Sequence, residues 1–181
     1  MDAQALSQPH NVTLTGERIV LRSITEEDTP LIVKWRNNER VRHNFMFRET
    51  FTEEMHDAWY REKVLQGKVI QFIICEKEGM RPVGTVFLQD IDEENKEADY
   101  GFLIGEDDAA GKRYGTECIA LVKDYCKNTL GLKSLTGKII EGNQASTKSW
   151  TKAGAVIVEA HEDTLCSDGT KVNMLFTRMQ L

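Results

Sequence analysis

In seven stretches of this chain, apolar and polar residues alternate or apolar residues run together, and both patterns predict β-strands. These stretches are residues 18–24, 69–75, 83–91, 98–104, 134–140, 156–161 and 173–179. Between them lie segments in which apolar residues recur at helical spacing, and three of these segments begin with a polar residue suited to cap a helix. The predicted helices are about residues 25–37, 52–66, 115–129 and 143–153.

The order of these elements decides the fold class. One strand is followed by two helices, three consecutive strands, a helix, a strand, a helix and two final strands. Hairpins combined with helices on both sides indicate a mixed α+β sheet rather than a doubly wound one. Residues 1–16 are polar and aperiodic, so we expect a loose N-terminal segment, followed by a single domain over residues 17–181.

Composition narrows the classes of function. Of 181 residues, 40% are hydrophobic and 29% charged, as in an ordinary globular protein. The formal charge of −6 argues against a general nucleic-acid binder, which needs a basic face. No apolar run is long enough to cross a bilayer and no secretory leader is evident, so we expect a cytoplasmic protein without a membrane partner. Four cysteines without a C-x-x-C pair and four scattered histidines indicate reduced thiols and no metal site.

The most informative stretch joins a buried strand to a helix. The strand, residues 98–104, leads into a turn with Gly111 and Gly115, from which the helix begins. The first N–H groups of a helix lack internal partners and its dipole adds about half a positive charge there, so this junction suits an anion. Lys112 and Arg113 add two cations. Glycines at such junctions also serve as turn and packing residues, and the spacing matches neither a Walker loop nor the dinucleotide fingerprint.

This junction resembles the acyl-CoA pyrophosphate loop of the GNAT N-acetyltransferase superfamily, whose pattern is Gln/Arg-x-x-Gly-x-Gly/Ala. The matching segment reads Ala110-Gly111-Lys112-Arg113-Tyr114-Gly115-Thr116-Glu117. Ala110 replaces the Gln or Arg, and Arg113 replaces the middle Gly. A second segment, residues 143–155, resembles the family's N-x-x-S-x-x-x-x-x-K-x-G-F motif and departs from it only at Ala155. The element order is also similar to the GNAT architecture from about Glu17 onward.

The resemblance implies a GNAT fold with a mixed, mostly antiparallel central sheet of six to seven strands and helices on both faces. It also implies acetyl-CoA as co-substrate, held by backbone groups of the central strand where this strand separates from its neighbour, by the loop, and by the second motif. The implied cofactor-binding residues are Phe102, Leu103, Ile104, Gly111, Lys112, Arg113, Tyr114, Gly115, Thr116 and Asn143. A backbone N–H near Leu103 would stabilise the oxyanion that forms when an amine attacks the thioester.

Asp99 matches a frequent acidic position on the family's central strand and is the candidate general base, acting through water. Glu97 is the reserve, and a solvated carboxylate on the strand, without a catalytic role, is the alternative for Asp99. A base is needed because an ammonium with a pKa near ~10 must lose a proton before attack. Trp150 stands where many members carry a tyrosine that protonates the leaving thiolate, and an indole cannot do so. Either Tyr100 or Tyr114 replaces it, or CoA leaves as a thiolate, whose pKa is roughly 8.5.

The first third of the chain is expected to select the acceptor, a small-molecule amine. It resembles the branch that acetylates amines on nucleotide-linked sugars, in which arginines would meet the substrate diphosphate. The candidate acceptor residues are Trp35, Arg36, Asn37 and Arg42. Core packing is the alternative for Trp35.

Other functions stay open at this stage. Related branches acetylate the N-terminal alanine of proteins or polyamines such as spermidine. A polyamine site would need an acidic funnel, for which four glutamates are available: Glu39, Glu49, Glu53 and Glu54. The degraded loop and Trp150 also fit a module that binds acyl-CoA without catalysis. Either a monomer or a homodimer is compatible with the sequence.

Overall fold

The structure is a computed structural model that describes residues 11–181; its elements follow the predicted order, with one additional strand at Thr13–Thr15 and one additional short helix at Glu39–Arg42. The strands are β1 (Thr13–Thr15), β2 (Ile19–Ser23), β3 (Ile70–Glu76), β4 (Pro82–Asp92), β5 (Glu97–Ile104), β6 (Ser134–Ile140), β7 (Val156–Leu165) and β8 (Lys171–Gln180). The α-helices are α1 (Thr29–Asn37), α2 (Glu39–Arg42), α3 (Glu53–Trp59), α4 (Tyr114–Asn128) and α5 (Gln144–Lys152). Short 3-10 turns cover Glu26–Asp28 and Asp107–Ala109, and a π-helix, Tyr60–Val64, extends α3.

The strands of residues 11–181 form one sheet in the order β1-β2-β3-β4-β5-β6-β8-β7. All neighbouring pairs are antiparallel except β5 and β6, which are parallel. The α+β class and the mostly antiparallel sheet are therefore confirmed. The sheet has eight strands rather than six or seven.

The additional strand is Thr13–Thr15, which pairs with Val20–Arg22 of β2. The sequence analysis included it in the loose N-terminal segment, because three residues are too few to show a period of two. The strand is fixed by its pairing with β2 rather than by its own pattern. Residues 1–10 of the same predicted segment lie outside the described residues.

Helices cover both faces of the sheet, as predicted. On one face, which we call the α4 face, α4 and α5 pack over the larger core cluster. The apolar residues at helical spacing predict a buried stripe of Ile119, Val122, Cys126 and Leu130; the first three are fully buried, whereas Leu130 lies beyond the end of α4 and is only partly buried. On the other, the α1 face, α1 and α3 pack over a second cluster that includes Trp35 and Leu103. The central sheet therefore has a separate apolar layer on each side.

Further expectations concern the cysteines, metal binding and membrane spans. All four cysteines are buried and free, which confirms the predicted thiols. In residues 11–181, no cluster of three or more His, Cys, Asp or Glu side chains is arranged to hold a metal ion. No helix in the same range is long and apolar enough to cross a membrane.

Candidate active site

The site is organised by the separation of β5 from β6. Their backbones pair at only three positions, and the last pair joins Asp99 to Thr136. β5 continues to Ile104 and β6 to Ile140 without pairing to each other. Backbone groups of β5 beyond Asp99 therefore have no partner on β6, and a wedge-shaped gap opens between the two strands. This is the separation that the sequence analysis expected of the central strand.

The N-terminus of α4 follows the end of β5 after one 3-10 turn. Gly111 has φ +80° and Arg113, the N-cap residue of α4, has φ +65°. Both values lie in the left-handed region, which a glycine adopts freely and an arginine adopts at a cost of about 1–2 kcal/mol. Arg113 thus takes the conformation expected of the glycine that it replaces. The first N–H groups of the 15-residue helix remain available to an anion.

The loop is tied to the sheet by an ionic network around Glu76. The ammonium of Lys112 lies 3.1 Å from Glu76 Oε1, and the Tyr114 hydroxyl donates to the same oxygen over 2.9 Å. Arg18 donates to the carbonyl oxygen of Lys112 and forms an ion pair with Glu117. These contacts hold the loop in place with its backbone exposed.

Gly115 packs directly against the central strand. A Cβ atom at this position would lie 2.7 Å from the ring of Phe102, which is half-buried on the α4 face. The glycine therefore allows the first turn of α4 to approach β5 closely. The close approach brings the free N–H groups of the helix beside the gap between β5 and β6.

Asp99 lies at the vertex of this gap and is only 7% exposed. Thr136 Oγ1 donates to its Oδ1 over 3.1 Å, and Gln89 Nε2 donates to its Oδ2 over 3.1 Å. Lys138 Nζ lies 3.6 Å from Oδ2. The carboxylate is therefore buried and hydrogen-bonded, and the alternative of a solvated carboxylate at this position is wrong. Three side chains from the two neighbouring strands, β4 and β6, hold it in place.

The tyrosines that could replace Trp150 as proton donors are both engaged elsewhere. The Tyr100 hydroxyl points into the core toward Cys118 Sγ at 3.7 Å, and complete burial raises its pKa well above the ordinary value. Burial and the hydrogen bond to Glu76 raise the pKa of Tyr114. Trp150 stacks on Tyr100 at 4.7 Å and donates its indole N–H to Thr177. Neither tyrosine thus presents a free hydroxyl to the gap.

A cleft of about 830 Å³ opens at the wide end of the gap, between α2 and the loop that leads from β6 to α5. Asn143 lines it, and its side-chain oxygen accepts the N–H of Ser146 over 3.2 Å, which caps α5. Its Nδ2 makes no hydrogen bond with residues 11–181. The cap and a ligand contact are thus compatible, because they use different atoms of one side chain.

Arg36 is the most unusual cation on the α1 face. Its guanidinium stacks on the rings of Phe45, at 4.0 Å, and Phe51, at 4.8 Å. Its Nε is buried without a hydrogen-bond partner, and Arg36 forms no ion pair within the described part of the chain. Burial lowers its pKa to about 10. A buried cation without a carboxylate is costly, and such groups are often retained for a ligand.

The other three candidate acceptor residues differ in accessibility. Trp35 is fully buried and donates its indole N–H to Glu106 over 2.8 Å, so it supports the site from the core rather than lining it. Asn37 donates to and accepts from the backbone of Phe51, both at 2.8 Å, and thereby holds the ring that stacks on Arg36. Arg42 is half-buried, and its side chain makes no hydrogen bond or ion pair with residues 11–181.

Several side chains that contact Asp99 and Arg36 are not evident from the sequence. Gln89, Thr136 and Lys138 contact Asp99 from strands that are distant in sequence, so no local motif identifies them. Phe45 and Phe51 lie in a loop without periodicity. Their aromatic composition was visible, but not their contact with Arg36.

Comparison with known proteins identifies the family. Residues 18–156 match the acetyltransferase (GNAT) domain. The chain is 30% identical over 155 residues to the uncharacterized protein MJ1062 of Methanocaldococcus jannaschii, a match covering 83% of this chain and 31% of that protein. The chain therefore spans about a third of the length of this relative. It is 27% identical to the uncharacterized N-acetyltransferase p20 of Bacillus licheniformis, over 75% of this chain and 78% of that protein.

Solved structures share the fold at low sequence identity. The spermidine N-acetyltransferase of Vibrio cholerae, in complex with CoA and spermine, superposes with a TM-score of 0.83 at 15% identity, over 91% of this chain and 96% of that one. A candidate ribosomal-protein-serine acetyltransferase of the same organism has a TM-score of 0.77 at 18% identity, over 95% and 99%. With the domain match over residues 18–156, the chain belongs to the GNAT acetyltransferase family, as its two motifs predicted.

Proposed function

We propose that this chain transfers the acetyl group of acetyl-CoA to a primary amine by direct attack on the thioester, and that the acceptor is a nucleotide-linked amino sugar. The observation that carries the first part is the gap between β5 and β6, which lies next to the N-terminus of α4 and has Asp99 at its vertex. The observation that favours the acceptor is the half-buried Arg36, whose Nε has no hydrogen-bond partner and which forms no ion pair within residues 11–181.

The residues that would hold acetyl-CoA fit its parts. N–H groups from Gly111 to Thr116, together with Arg113, suit a pyrophosphate, because they combine a helix N-terminus with a cation. The backbone of Phe102 to Ile104 pairs with β4 but not with β6, so its groups on the β6 side suit the amides of a pantetheine arm, and Asn143 lines the cleft beside it. Acetyl-CoA when bound supplies the activated acyl group.

The reaction requires a general base and a group that stabilises the oxyanion. Asp99 would take the proton of the acceptor ammonium through a water molecule, so that the neutral nitrogen can attack. A backbone N–H near Leu103 would stabilise the oxyanion while the C–N bond forms and the C–S bond breaks, and the surplus proton of the attacking nitrogen would pass to solvent. Because Tyr100 and Tyr114 are engaged, we infer that CoA leaves as a thiolate and takes its proton from solvent; a thiol pKa of roughly 8.5 permits this near neutral pH.

The charges on the α1 face support an anionic acceptor over a polyamine. The glutamates that could form an acidic funnel, Glu39, Glu49, Glu53 and Glu54, are all exposed. Glu106, which lies closer to the core, is paired with Lys34. Arg36 would repel a polycation and attract a phosphate.

Spermidine is the second candidate acceptor, because a spermidine N-acetyltransferase has the same fold. The test is release of free CoA from acetyl-CoA with a UDP-linked amino sugar, spermidine and a peptide with N-terminal alanine. We expect the highest kcat/KM with the sugar. Faster turnover of spermidine than of the sugar would assign spermidine as the acceptor instead. Binding of acetyl-CoA without turnover of any amine would identify a non-catalytic acyl-CoA module. We further propose that the protein acts in the cytoplasm on a small molecule, as a monomer or homodimer, and that it binds neither nucleic acid nor a membrane.

A further inference from the structure

A second cavity, of about 540 Å³, lies on the sheet near the narrow end of the gap between β5 and β6. Its walls are the end of α3, the π-helix with the turn that follows, and the end of β4. The 830 Å³ cleft, by contrast, is lined by Asp107, which follows β5, and Gly142, which follows β6. The two cavities are therefore at opposite ends of β5, and Asp99 is near the end that has the smaller one.

Two backbone irregularities border this cavity. Lys63 belongs to the π-helix Tyr60–Val64, and π-helical turns occur frequently at functional sites. On the strand side, the register between β4 and β5 shifts between Gln89 and Asp92, and Asp90 has φ +49°. Bulges of this kind re-aim side chains and are over-represented next to active sites. Both irregularities shape the same cavity.

Gln89 connects the cavity to the candidate base. Its side chain lines the cavity, and its Nε2 donates to Asp99 Oδ2 over 3.1 Å. One side chain therefore separates a ligand in this cavity from the carboxylate. Trp59 forms part of the wall, and the hydrogen bond from its indole N–H to Gln71 Oε1, at 3.3 Å, fixes the orientation of its ring.

The charges on the two walls have opposite sign. Lys63 and Lys68 are on the helical wall, and Asp90 and Glu93 are on the strand wall beside Gln89. All four are exposed, and none forms an ion pair with any residue from 11 to 181. The cavity thus presents anionic groups near the base and cationic groups on the wall opposite them. A ligand with an ammonium at one end and an anionic group at the other is complementary to this arrangement.

We propose that this cavity is the entry and binding subsite of the acceptor, and that the acceptor is an amine that also carries an anionic group. The inference rests on the proposed acetyltransferase function and assigns the subsite that binds its acceptor. The ammonium lies beside Gln89, with Asp99 next to it; the anionic group lies between Lys63 and Lys68; and a ring or sugar face packs on Trp59. A polyamine has no anionic group, so Lys63 and Lys68 would have no partner on it.

The experiment reverses the charge of the helical wall. In the Lys63→Glu/Lys68→Glu variant, the KM for a UDP-linked amino sugar rises at least tenfold, while the KM for acetyl-CoA stays the same. The matched control is Lys127→Glu/Lys133→Glu, which changes the net charge equally at two exposed lysines elsewhere. A parallel thermal-shift titration with the sugar, in the presence of CoA, reports binding without turnover; the wall variant loses the shift and the control keeps it.

The outcomes separate this inference from the proposed function. An unchanged sugar KM in the wall variant, or an equal rise in the control, overturns the acceptor subsite while CoA release still demonstrates acetyl transfer. Turnover of spermidine but not of any anionic amine also overturns it. If the unmodified protein gives neither CoA release nor a thermal shift with the sugar, the acceptor class proposed for this cavity is wrong.

Discussion

Thr136 donates a hydrogen bond to Asp99 over 3.1 Å, and the same two residues are the last backbone partners of β5 and β6. The side-chain contact therefore holds together the point at which the strands separate. Beyond it the backbone of β5 is open, which is what an extended amide-bearing ligand needs. The position of the candidate base and the opening of the gap are thus set by one pair of residues.

Replacing Asp99 tests its role as base. Asp99→Asn keeps the shape and the contact with Thr136 but cannot accept a proton, so we expect kcat/KM to fall roughly a hundredfold near neutral pH. The loss shrinks at high pH, because the acceptor amine is then already neutral. The measurement is a pH profile of CoA release. Glu162→Gln, at an exposed position of β7, is the control. A small loss that does not depend on pH would assign Asp99 a structural role only.

Binding of acetyl-CoA tests the loop. At a hundredfold excess over its dissociation constant, the ligand stabilises the protein by about 2.7 kcal/mol, which raises Tm. Gly115→Val displaces the ring of Phe102 and moves the first turn of α4 away from β5, so we expect that shift to disappear. Ala120→Val, at an exposed position of the same helix, keeps it. Circular dichroism checks that both variants fold. An undiminished shift in Gly115→Val would place the ligand elsewhere.

Arg36→Met separates stability from acceptor binding. Methionine retains apolar volume between Phe45 and Phe51 and removes a buried, unpaired charge, so Tm should be maintained or rise. If the diphosphate of the acceptor meets Arg36 rather than Lys63 and Lys68, the acceptor KM should rise roughly ten- to a hundredfold, because a charge-assisted contact is worth about 1.5–3 kcal/mol. Arg42→Ala should raise that KM while leaving Tm and the acetyl-CoA KM unchanged, and exposed Arg61→Ala is its control. Unaltered or improved activity in both variants would favour a cationic acceptor.

Asp28 makes the stability of the N-terminal part of the fold dependent on pH. Burial alone would raise the pKa of Asp28, but two hydrogen bonds from Arg22, at 2.7 and 2.8 Å, and one from the Thr25 N–H lower it overall. Because its folded pKa is below the unfolded value of 3.8, its contribution is complete above that pH and is lost as the pH falls through the folded pKa.

We therefore expect Asp28→Asn to lower the free energy of unfolding by about 1.5–3 kcal/mol at pH 7. The difference from the unmodified protein should shrink as the pH is lowered below 3.8. Urea unfolding at several pH values measures this. Glu27→Gln, in the same 3-10 turn but exposed, should change little. An equal difference at all pH values would show that the effect is not electrostatic.

Local patterns of the sequence determined most of the fold. Seven of the eight strands have a period or an apolar run long enough to recognise, and the stripe of α4 and the caps Thr52 and Asn143 are short-range features. The family was also available from the sequence, because the pyrophosphate loop and the Asn143 motif are each contiguous. Each of these signals depends on residues within a few positions of one another, so it can be recognised without knowledge of the tertiary structure.

Only the tertiary structure decided which side chains meet. Strand β1 forms because it pairs with the edge strand β2. Trp35 is buried because its ring packs against Gly105 and its indole N–H donates to Glu106. The partners of Asp99 and the cavity that reaches it through Gln89 come from strands far apart in sequence. Strand order and register place these groups together. No short segment encodes them, because they arise from many apolar contacts acting at once.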